Sequence, residues 1–78
     1  MKNITFEIKQ RIAVLSENDN RYSKQINVIS WNGGKPQLDI RMWRVQQDGT
    51  QRPLKGIPLT ADEVKVMREA IKGLEMAL

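Results

Sequence analysis

Hydrophobic and polar residues alternate in the first and third of four successive segments, which is the pattern of β-strands with one apolar face, while the second segment alternates poorly and the fourth is irregular. The segments cover residues 5–16, 22–31, 37–46 and about 50–59. Between them lie residues typical of turns: Glu17-Asn18-Asp19-Asn20, Asn32-Gly33-Gly34-Lys35-Pro36 and Gln47-Asp48-Gly49-Thr50. The pattern therefore predicts four antiparallel strands in a meander.

The first and third strands define the predicted faces of the sheet. On the third strand, Leu38, Ile40 and Met42 form the inward set, and the opposite face carries Asp39, Arg41 and Trp43. On the first strand, Phe6, Ile8, Ile12 and Val14 share one face, and Glu7, Lys9 and Arg11 share the other. The fourth strand contains two prolines that cannot donate to a ladder, so we expect it at a sheet edge.

The last segment has the pattern of an amphipathic helix. Thr60 and Glu63 have the spacing of a capping box, in which each side chain accepts a hydrogen bond from the backbone of the other residue. The apolar side chains of the segment form one continuous seam: Val64, Met67, Ile71, Leu74 and Leu78. Because a chain of 78 residues buries a small core, we expect this seam to be a homodimer interface.

The order of these elements predicts an α+β fold, a four-stranded antiparallel meander sheet followed by one C-terminal helix (ββββα). Residues 1–78 are expected to form a single domain. One helix can cover only one face of such a sheet, so the function of the protein is sought on the other face.

Composition narrows the possible chemistry. The chain contains no Cys and no His, which argues against disulfides, a metal site or a cofactor that needs those ligands. Asp39 and Asp48 each lack the nearby second carboxylate that acid–base catalysis needs, so we expect no enzymatic activity. Asp39 is better explained as the partner of Arg41 in a structural ion pair.

The charge of the chain favours a polyanionic partner. The net charge is +4, and residues 1–60 alone carry 10 basic and 5 acidic residues. A positive field on the sheet suits a nucleic acid, although many small basic domains bind nothing anionic. No segment has the length and apolar character of a signal peptide or a membrane span, so we expect a cytoplasmic protein that does not bind membranes.

Basic and aromatic residues are interleaved along the predicted strands and turns. The candidate nucleic-acid-binding residues are Lys9, Arg11, Trp31, Lys35, Arg41, Trp43, Arg44, Arg52 and Lys55. Aromatic rings that stack on bases, next to cations that meet phosphates, are typical of single-strand binding. Taken alone, Trp43 is better explained by burial in a core, the commoner fate of Trp, than by base stacking. Of the two tryptophans we nevertheless expect Trp43 to stack, because it shares a strand face with Arg41.

Several motifs in the second half of the chain resemble one known family. They are Gly34-Lys35, Leu38-Asp39-Ile40-Arg41, the aromatic Trp43, Asp48-Gly49, Arg52-Pro53 and Lys55-Gly56-Ile57-Pro58-Leu59. Together they resemble the transcriptional positive cofactor four (coactivator) family. The segment Val28-Ile29-Ser30-Trp31-Asn32-Gly33 is similar to its small bacterial branch, the YdbC proteins. The similarity covers roughly residues 6–78.

The resemblance implies a ββββα protomer that dimerises with its helices on one side and grips single-stranded DNA on curved sheets. It implies DNA contacts at Arg41, Arg52 and Lys55 and a basic position at Lys35. The expected function is sequence-tolerant single-stranded DNA binding by a homodimer that supports transcription or other DNA transactions. Single-stranded RNA binding is one alternative, and a homodimeric protein-interaction module without nucleic acid is another.

Overall fold

The computed structural model describes residues 4–74 and confirms the predicted ββββα fold. One antiparallel sheet contains, in spatial order, β1 (Phe6–Glu17), β2 (Tyr22–Trp31), β3 (Gln37–Val45) and β4 (Gln51–Leu59). The helix α1 (Ala61–Lys72) follows β4. Every connection between strands reverses the chain direction, so the β1–β2 and β3–β4 turns lie at the same end of the sheet.

The regular pairing of β2 with β3 defines two faces of the sheet, because successive side chains point to opposite sides. The polar face carries Ser23, Gln25, Asn27, Asp39, Arg41 and Trp43. The apolar face carries Ile26, Val28, Leu38, Ile40 and Met42. The sequence predicted this division between Asp39, Arg41 and Trp43 on one side and the aliphatic residues on the other.

The burial of the two faces differs from the expected pattern. Leu38, Ile40 and Met42, predicted to face inward, are each only half-buried in this chain. Asp39 and Trp43, on the polar face, are both 0% exposed. The described chain therefore covers its polar face better than its apolar face, which leaves apolar surface for a further partner.

Strand β1 departs from simple alternation at three register shifts against β2, between Ile8 and Gln10, Arg11 and Ala13, and Val14 and Ser16. Each shift alters which face the following side chains occupy. Arg11 opposes Asn27 and Val14 opposes Gln25, so both lie on the polar face. The prediction that Arg11 and Val14 occupy opposite faces is wrong, because the shifts between them break the two-residue period.

The helix begins at the predicted capping box. The Glu63 backbone N–H donates to Thr60 Oγ1 at 3.2 Å, and the Thr60 N–H donates to Glu63 Oε1 at 2.8 Å. Of the four strands, α1 approaches β3 and β4. No residue within Ala61–Lys72 is buried, and the seam remains partly open along its length. Val64 and Met67 are half-buried, Ile71 and Leu74 are 52% and 41% exposed, and Leu78 lies outside the described residues.

Candidate nucleic-acid interface

Three aromatic rings pack together on the polar face. The centroid of the Phe6 ring lies 5.4 Å from the Trp31 centroid in a tilted arrangement and 5.4 Å from the Trp43 centroid in an edge-on arrangement. Such edge and tilted contacts are the favourable geometries for aromatic pairs. Phe6, which opposes Trp31 across the β1–β2 ladder, therefore links the two tryptophans into one cluster.

Trp43 is a core residue of this cluster. Its side chain is 0% exposed, and its Nε1–H finds no hydrogen-bond acceptor within residues 4–74. A ring without accessible surface cannot stack on a base unless the surrounding strands move. The structure therefore does not fit the expectation that Trp43 is the stacking residue, and the physical reason is that Phe6 packs against it.

Trp31 is the more accessible of the two tryptophans, since it is half-buried at the end of β2. Its indole Nε1 donates a hydrogen bond to Asp39 Oδ2 at 3.3 Å. The guanidinium carbon of Arg41 lies 4.5 Å from the centroid of its ring, within the range of a cation–π interaction. These contacts hold the ring in one orientation while part of its surface remains open.

Arg41 is bound to internal partners. Its Nε and Nη2 atoms donate to Asp39 Oδ1 and Oδ2 at 2.7 and 2.8 Å, and Nη1 donates to the Leu54 carbonyl at 2.8 Å. The Arg41 side chain is 13% exposed and the Asp39 side chain is fully buried. The predicted structural ion pair is therefore present, whereas a phosphate-contacting role for Arg41 does not fit these contacts.

Gly56 explains how β4 fits beside this ion pair. Gly56 opposes Arg41 directly across the β3–β4 ladder. A Cβ atom added at Gly56 would overlap the Cβ of Arg41 and crowd the Ile40 carbonyl. Only glycine allows the two backbones to approach so closely, which gives the Lys-Gly-Ile motif a structural reason.

Three arginines meet at the sheet end that carries the β1–β2 and β3–β4 turns. Arg21, Arg44 and Arg52 line a cleft of about 660 Å³, which we name the arginine cleft. Arg44 opposes Arg52 on β4 and Tyr22 on β2. Its guanidinium carbon lies 5.1 Å from the centroid of the Tyr22 ring, and its Nη1 donates to the Tyr22 hydroxyl at 3.3 Å. Cations beside an aromatic ring form a surface suited to phosphates and bases together.

Arg21 and Tyr22 were not among the residues predicted for the site. Arg21 has a positive φ of 66°, and the turn before β2 is closed by Asn18 Oδ1, which accepts from the Tyr22 N–H at 3.1 Å. The sequence did contain a signal that Arg21 belongs to the site, because a meander places its first and third turns at the same end of the sheet. A basic residue next to the first turn therefore lies near the basic residues around the third turn.

One carboxylate borders the arginine cleft. Asp48 Oδ1 accepts hydrogen bonds from the Thr50 hydroxyl at 2.6 Å and the Thr50 N–H at 3.0 Å. These bonds, the side-chain bond above all, lower the pKa of Asp48 from its ordinary value of 3.8. Asp48 is therefore ionised at neutral pH and partly offsets the charge of the three arginines.

The remaining candidates are exposed and lie at separate places. Lys35 is in the turn before β3 and Lys55 is on β4, both in solvent. Lys9 is exposed on β1 and pairs with Glu7 at 3.0 Å, an exposed contact of little energetic weight. Arg11 lines a different cleft, between β1 and the side chains of Gln25 and Gln51. The structure thus brings together Arg44 and Arg52 in one place and Trp31, Arg41 and Trp43 in another, and it leaves Lys9, Arg11, Lys35 and Lys55 distributed around the sheet.

The described residues offer little for other kinds of chemistry. Within residues 4–74, no cluster of three or more Asp, Glu, His or Cys side chains has a geometry that could hold a metal ion. No helix in that range combines the length and the apolar character needed to cross a membrane. The notable features of the site are instead aromatic and positively charged side chains.

Comparison with known proteins agrees with these features. Residues 19–70 match the Transcriptional Coactivator p15 (PC4) family. The chain belongs to this family. An uncharacterized protein of Treponema pallidum (strain Nichols) is 28% identical over 71 residues, which is 91% of this chain and 80% of that protein. The PC4 family is a nucleic-acid-binding, non-enzymatic family, with single-stranded DNA binding and coactivator-like roles. Its match includes both the Asp39–Arg41 pair and the arginine cleft.

Proposed function

We propose that this PC4-family chain is a sequence-tolerant single-stranded DNA-binding protein that acts as a homodimer in transcription or other DNA transactions. The observation that carries the proposal is the arginine cleft, where Arg44 lies against the ring of Tyr22 and opposes Arg52. Phosphates and unstacked bases are the ligand groups that such a surface can bind at once. A duplex presents phosphates but hides the faces of its bases.

The second proposed contact is Trp31, which lies on the polar face, whereas Arg44 and Tyr22 pair on the opposite face; Arg52 borders both the arginine cleft and the pocket beside Trp31. The Trp31 ring is half-buried, and hydrogen bonding and cation–π contact fix its position. A fixed aromatic loses little conformational freedom when a base stacks on it, which favours binding. Trp31 therefore replaces Trp43 as the proposed stacking tryptophan, while Lys9, Arg11, Lys35 and Lys55 are proposed to attract the backbone from exposed positions.

The homodimer is supported by apolar surface that one chain leaves uncovered. Ile57 is 61% exposed on β4, Ile71 and Leu74 are exposed near the end of α1, and the apolar face of β2 and β3 is only half-buried. Exposed apolar surface of this extent marks interaction sites in small proteins. A second copy would cover the same surface on both chains, as in other two-fold dimers.

The test is a fluorescence titration of the protein with a single-stranded DNA, the RNA of the same sequence and the corresponding duplex, each at several salt concentrations. We expect the DNA single strand to bind tightest, with log affinity falling linearly with log salt because phosphate binding releases counterions. Equal or tighter RNA binding would make RNA the ligand. A lack of salt-dependent binding to all three would favour the protein-interaction module.

A further inference from the structure

Two clefts lie on opposite faces of the sheet, and one side chain borders both. The arginine cleft is on the side of Arg44 and Tyr22, opposite the polar face. A second cleft of about 320 Å³, which we name the tryptophan pocket, is lined by Trp31 and Arg41 of the polar face. Arg52 lines the arginine cleft and the tryptophan pocket alike. The two clefts therefore meet at β4, the strand that carries Arg52.

Strand β4 is an edge of the sheet. Within residues 4–74 it pairs with β3 alone, so its outer side is open to a ligand. The helix follows Leu59, at the end of β4 that is far from Arg52. Pro53, next to Arg52, has no N–H to donate to a further strand, which is typical of edges that do not pair. The end of β4 at Arg52 is thus a place where a flexible ligand can pass from one face to the other.

A β-bulge shapes this part of the edge. The β3–β4 ladder shifts register between Arg41 and Trp43, where β4 contains one residue more than β3. Leu54 and Lys55 lie in this bulge, and a bulge bends its strand and redirects the side chains. The Leu54 carbonyl accepts from Arg41 Nη1 at 2.8 Å, which fixes the bulge from the side of the polar face. The edge therefore has a defined shape before any ligand binds.

The cations on this edge are available to a polyanion. Arg52 and Lys55 are exposed and take part in none of the ion pairs among residues 4–74. They lie three residues apart on β4, which corresponds to about 10 Å of extended chain. Arg41, in contrast, is paired with Asp39. Phosphates that pass over β4 would thus meet two free cations on the edge itself.

The opposite edge, β1, is a poorer crossing point. It is separated from β3 by β2, and none of its residues lines the arginine cleft. Its middle carries the exposed apolar side chains of Ile12, Val14 and Leu15, which offer nothing to a phosphate. Lys9, nearer its start, is paired with Glu7. The charges of the sheet therefore favour a path over β4.

We infer that one continuous DNA strand crosses the β4 edge at Arg52, with bases at Tyr22 and Arg44 on one face and at Trp31 on the other. Arg52 contacts the phosphates at the crossing, and Lys55 contacts those beside it. The inference rests on the proposed single-strand binding and adds to it the path of the strand. A duplex, with a persistence length of about 150 base pairs, is too stiff to turn around one strand of a sheet, so the path also selects single strands.

The experiment measures how much affinity a strand gains when it is long enough to reach both faces. Oligo(dT) of about 12 nucleotides, within the range of known site sizes, is compared with a thymidine trinucleotide, whose weak binding is followed by NMR. The chain contains no Cys, so Lys55→Cys takes a single label. One sample carries a bulky polyethylene glycol maleimide, and the reference carries a small cationic thiol reagent that restores the charge. Lys65→Cys on α1, with the same two labels, is the matched control.

We expect Trp31→Ala and Arg44→Ala each to weaken binding of the long strand at least about 5-fold, because the strand uses both faces. The ratio of long-strand to trinucleotide affinity should be at least about 10-fold lower with the bulky label at position 55 than with the small label there, because the two contacts are no longer joined. At position 65 the two labels should give the same ratio. Circular dichroism of each labelled protein checks that the fold is intact.

Two results overturn the inference while single-strand binding stands. If Trp31→Ala or Arg44→Ala retains wild-type affinity for the long strand, the strand stays on one face. If both labels at position 55 give the same ratio, the strand reaches its second contact by another route, such as a passage to the partner subunit. A wild type that binds no oligo(dT) contradicts the proposed function as well. The labels leave the packed residues unchanged, so they decide the matter even if Trp31→Ala does not fold.

Discussion

Asp39 holds Arg41 in a two-point contact beneath the sheet surface: Nε and Nη2 of the arginine lie 2.7 and 2.8 Å from the two carboxylate oxygens. The same carboxylate accepts from the Trp31 indole at 3.3 Å, so one buried anion orients both a cation and an aromatic ring. An ion pair with this geometry is strong because both charges are paired and hydrogen-bonded. Through Asp39, this ion pair connects the core of the protein with the ring of Trp31, the proposed base-stacking residue.

The first prediction concerns the stability that depends on this pair. Arg41→Ala leaves the Asp39 carboxylate buried without its cation and should lower the free energy of unfolding by about 3–5 kcal/mol. Urea unfolding of the wild type and the variant measures this difference in the free energy of unfolding. Lys9→Ala, which breaks the exposed contact with Glu7, is the matched control and should change stability by less than about 1 kcal/mol. An Arg41→Ala variant with wild-type stability but weakened DNA binding would return Arg41 to a phosphate-contacting role.

The second prediction separates the two tryptophans. Trp43→Ala removes a fully buried ring and should cost about 3–5 kcal/mol of stability. Trp31→Ala should cost about 1–3 kcal/mol of DNA affinity, the value of one stacked base. Both variants are measured for thermal midpoint and for affinity. Wild-type affinity in folded Trp31→Ala protein would show that binding depends on charge, or on Tyr22, and not on Trp31.

The third prediction concerns the arginine cleft. Replacing Arg21, Arg44 or Arg52 by Ala should lower the salt slope of single-strand binding by about 0.7 per lost phosphate contact. The loss should be nearly equal for all base sequences, because phosphates carry no sequence information. Lys65→Ala on α1 is the matched control, since it removes one positive charge away from the cleft. Slopes that are equal in the cleft variants and the control would place the phosphate contacts elsewhere.

The fourth prediction concerns dimerisation. Leu74→Asp, alone and combined with Ile71→Asp, places charge on the exposed part of the helix seam and should convert the dimer into a monomer. Sedimentation equilibrium at micromolar concentration measures this for the wild type and the variants. Glu69→Lys, on an exposed part of α1, is the control for changing helix charge without touching the seam. A wild type that sediments as a folded monomer would contradict the homodimer.

The fifth prediction concerns acid. Because hydrogen bonds from Thr50 lower the pKa of Asp48 in the folded chain, the ionised form stabilises the fold at pH values above the ordinary pKa of 3.8. That contribution disappears as the pH falls through the lowered value. Asp48→Asn should therefore reduce the loss of stability on going from neutral to strongly acidic pH, measured by urea unfolding at several pH values. An identical pH profile in the variant would mean that the hydrogen bonds persist in the unfolded chain.

The sequence by itself determined the fold. Local patterns suffice for this, because the two-residue period, the turn residues and the Thr60–Glu63 capping box act between near neighbours. It also determined the Asp39–Arg41 pair, since residues two apart on a strand share a face. The family resemblance was visible for the same reason: its motifs are contiguous stretches of sequence.

Only the tertiary structure decided which surfaces are open. Trp43 is buried because Phe6, far away along the chain, packs against it, and Arg11 lies on the polar face because register shifts in β1 break the alternation. The arginine cleft depends on side chains from separate segments of the chain, with Arg21 before β2, Arg44 on β3 and Arg52 on β4. The alternation of residues along a strand predicts which face of the sheet a side chain occupies. The exposure of that side chain depends on which residues, distant in sequence, pack against it.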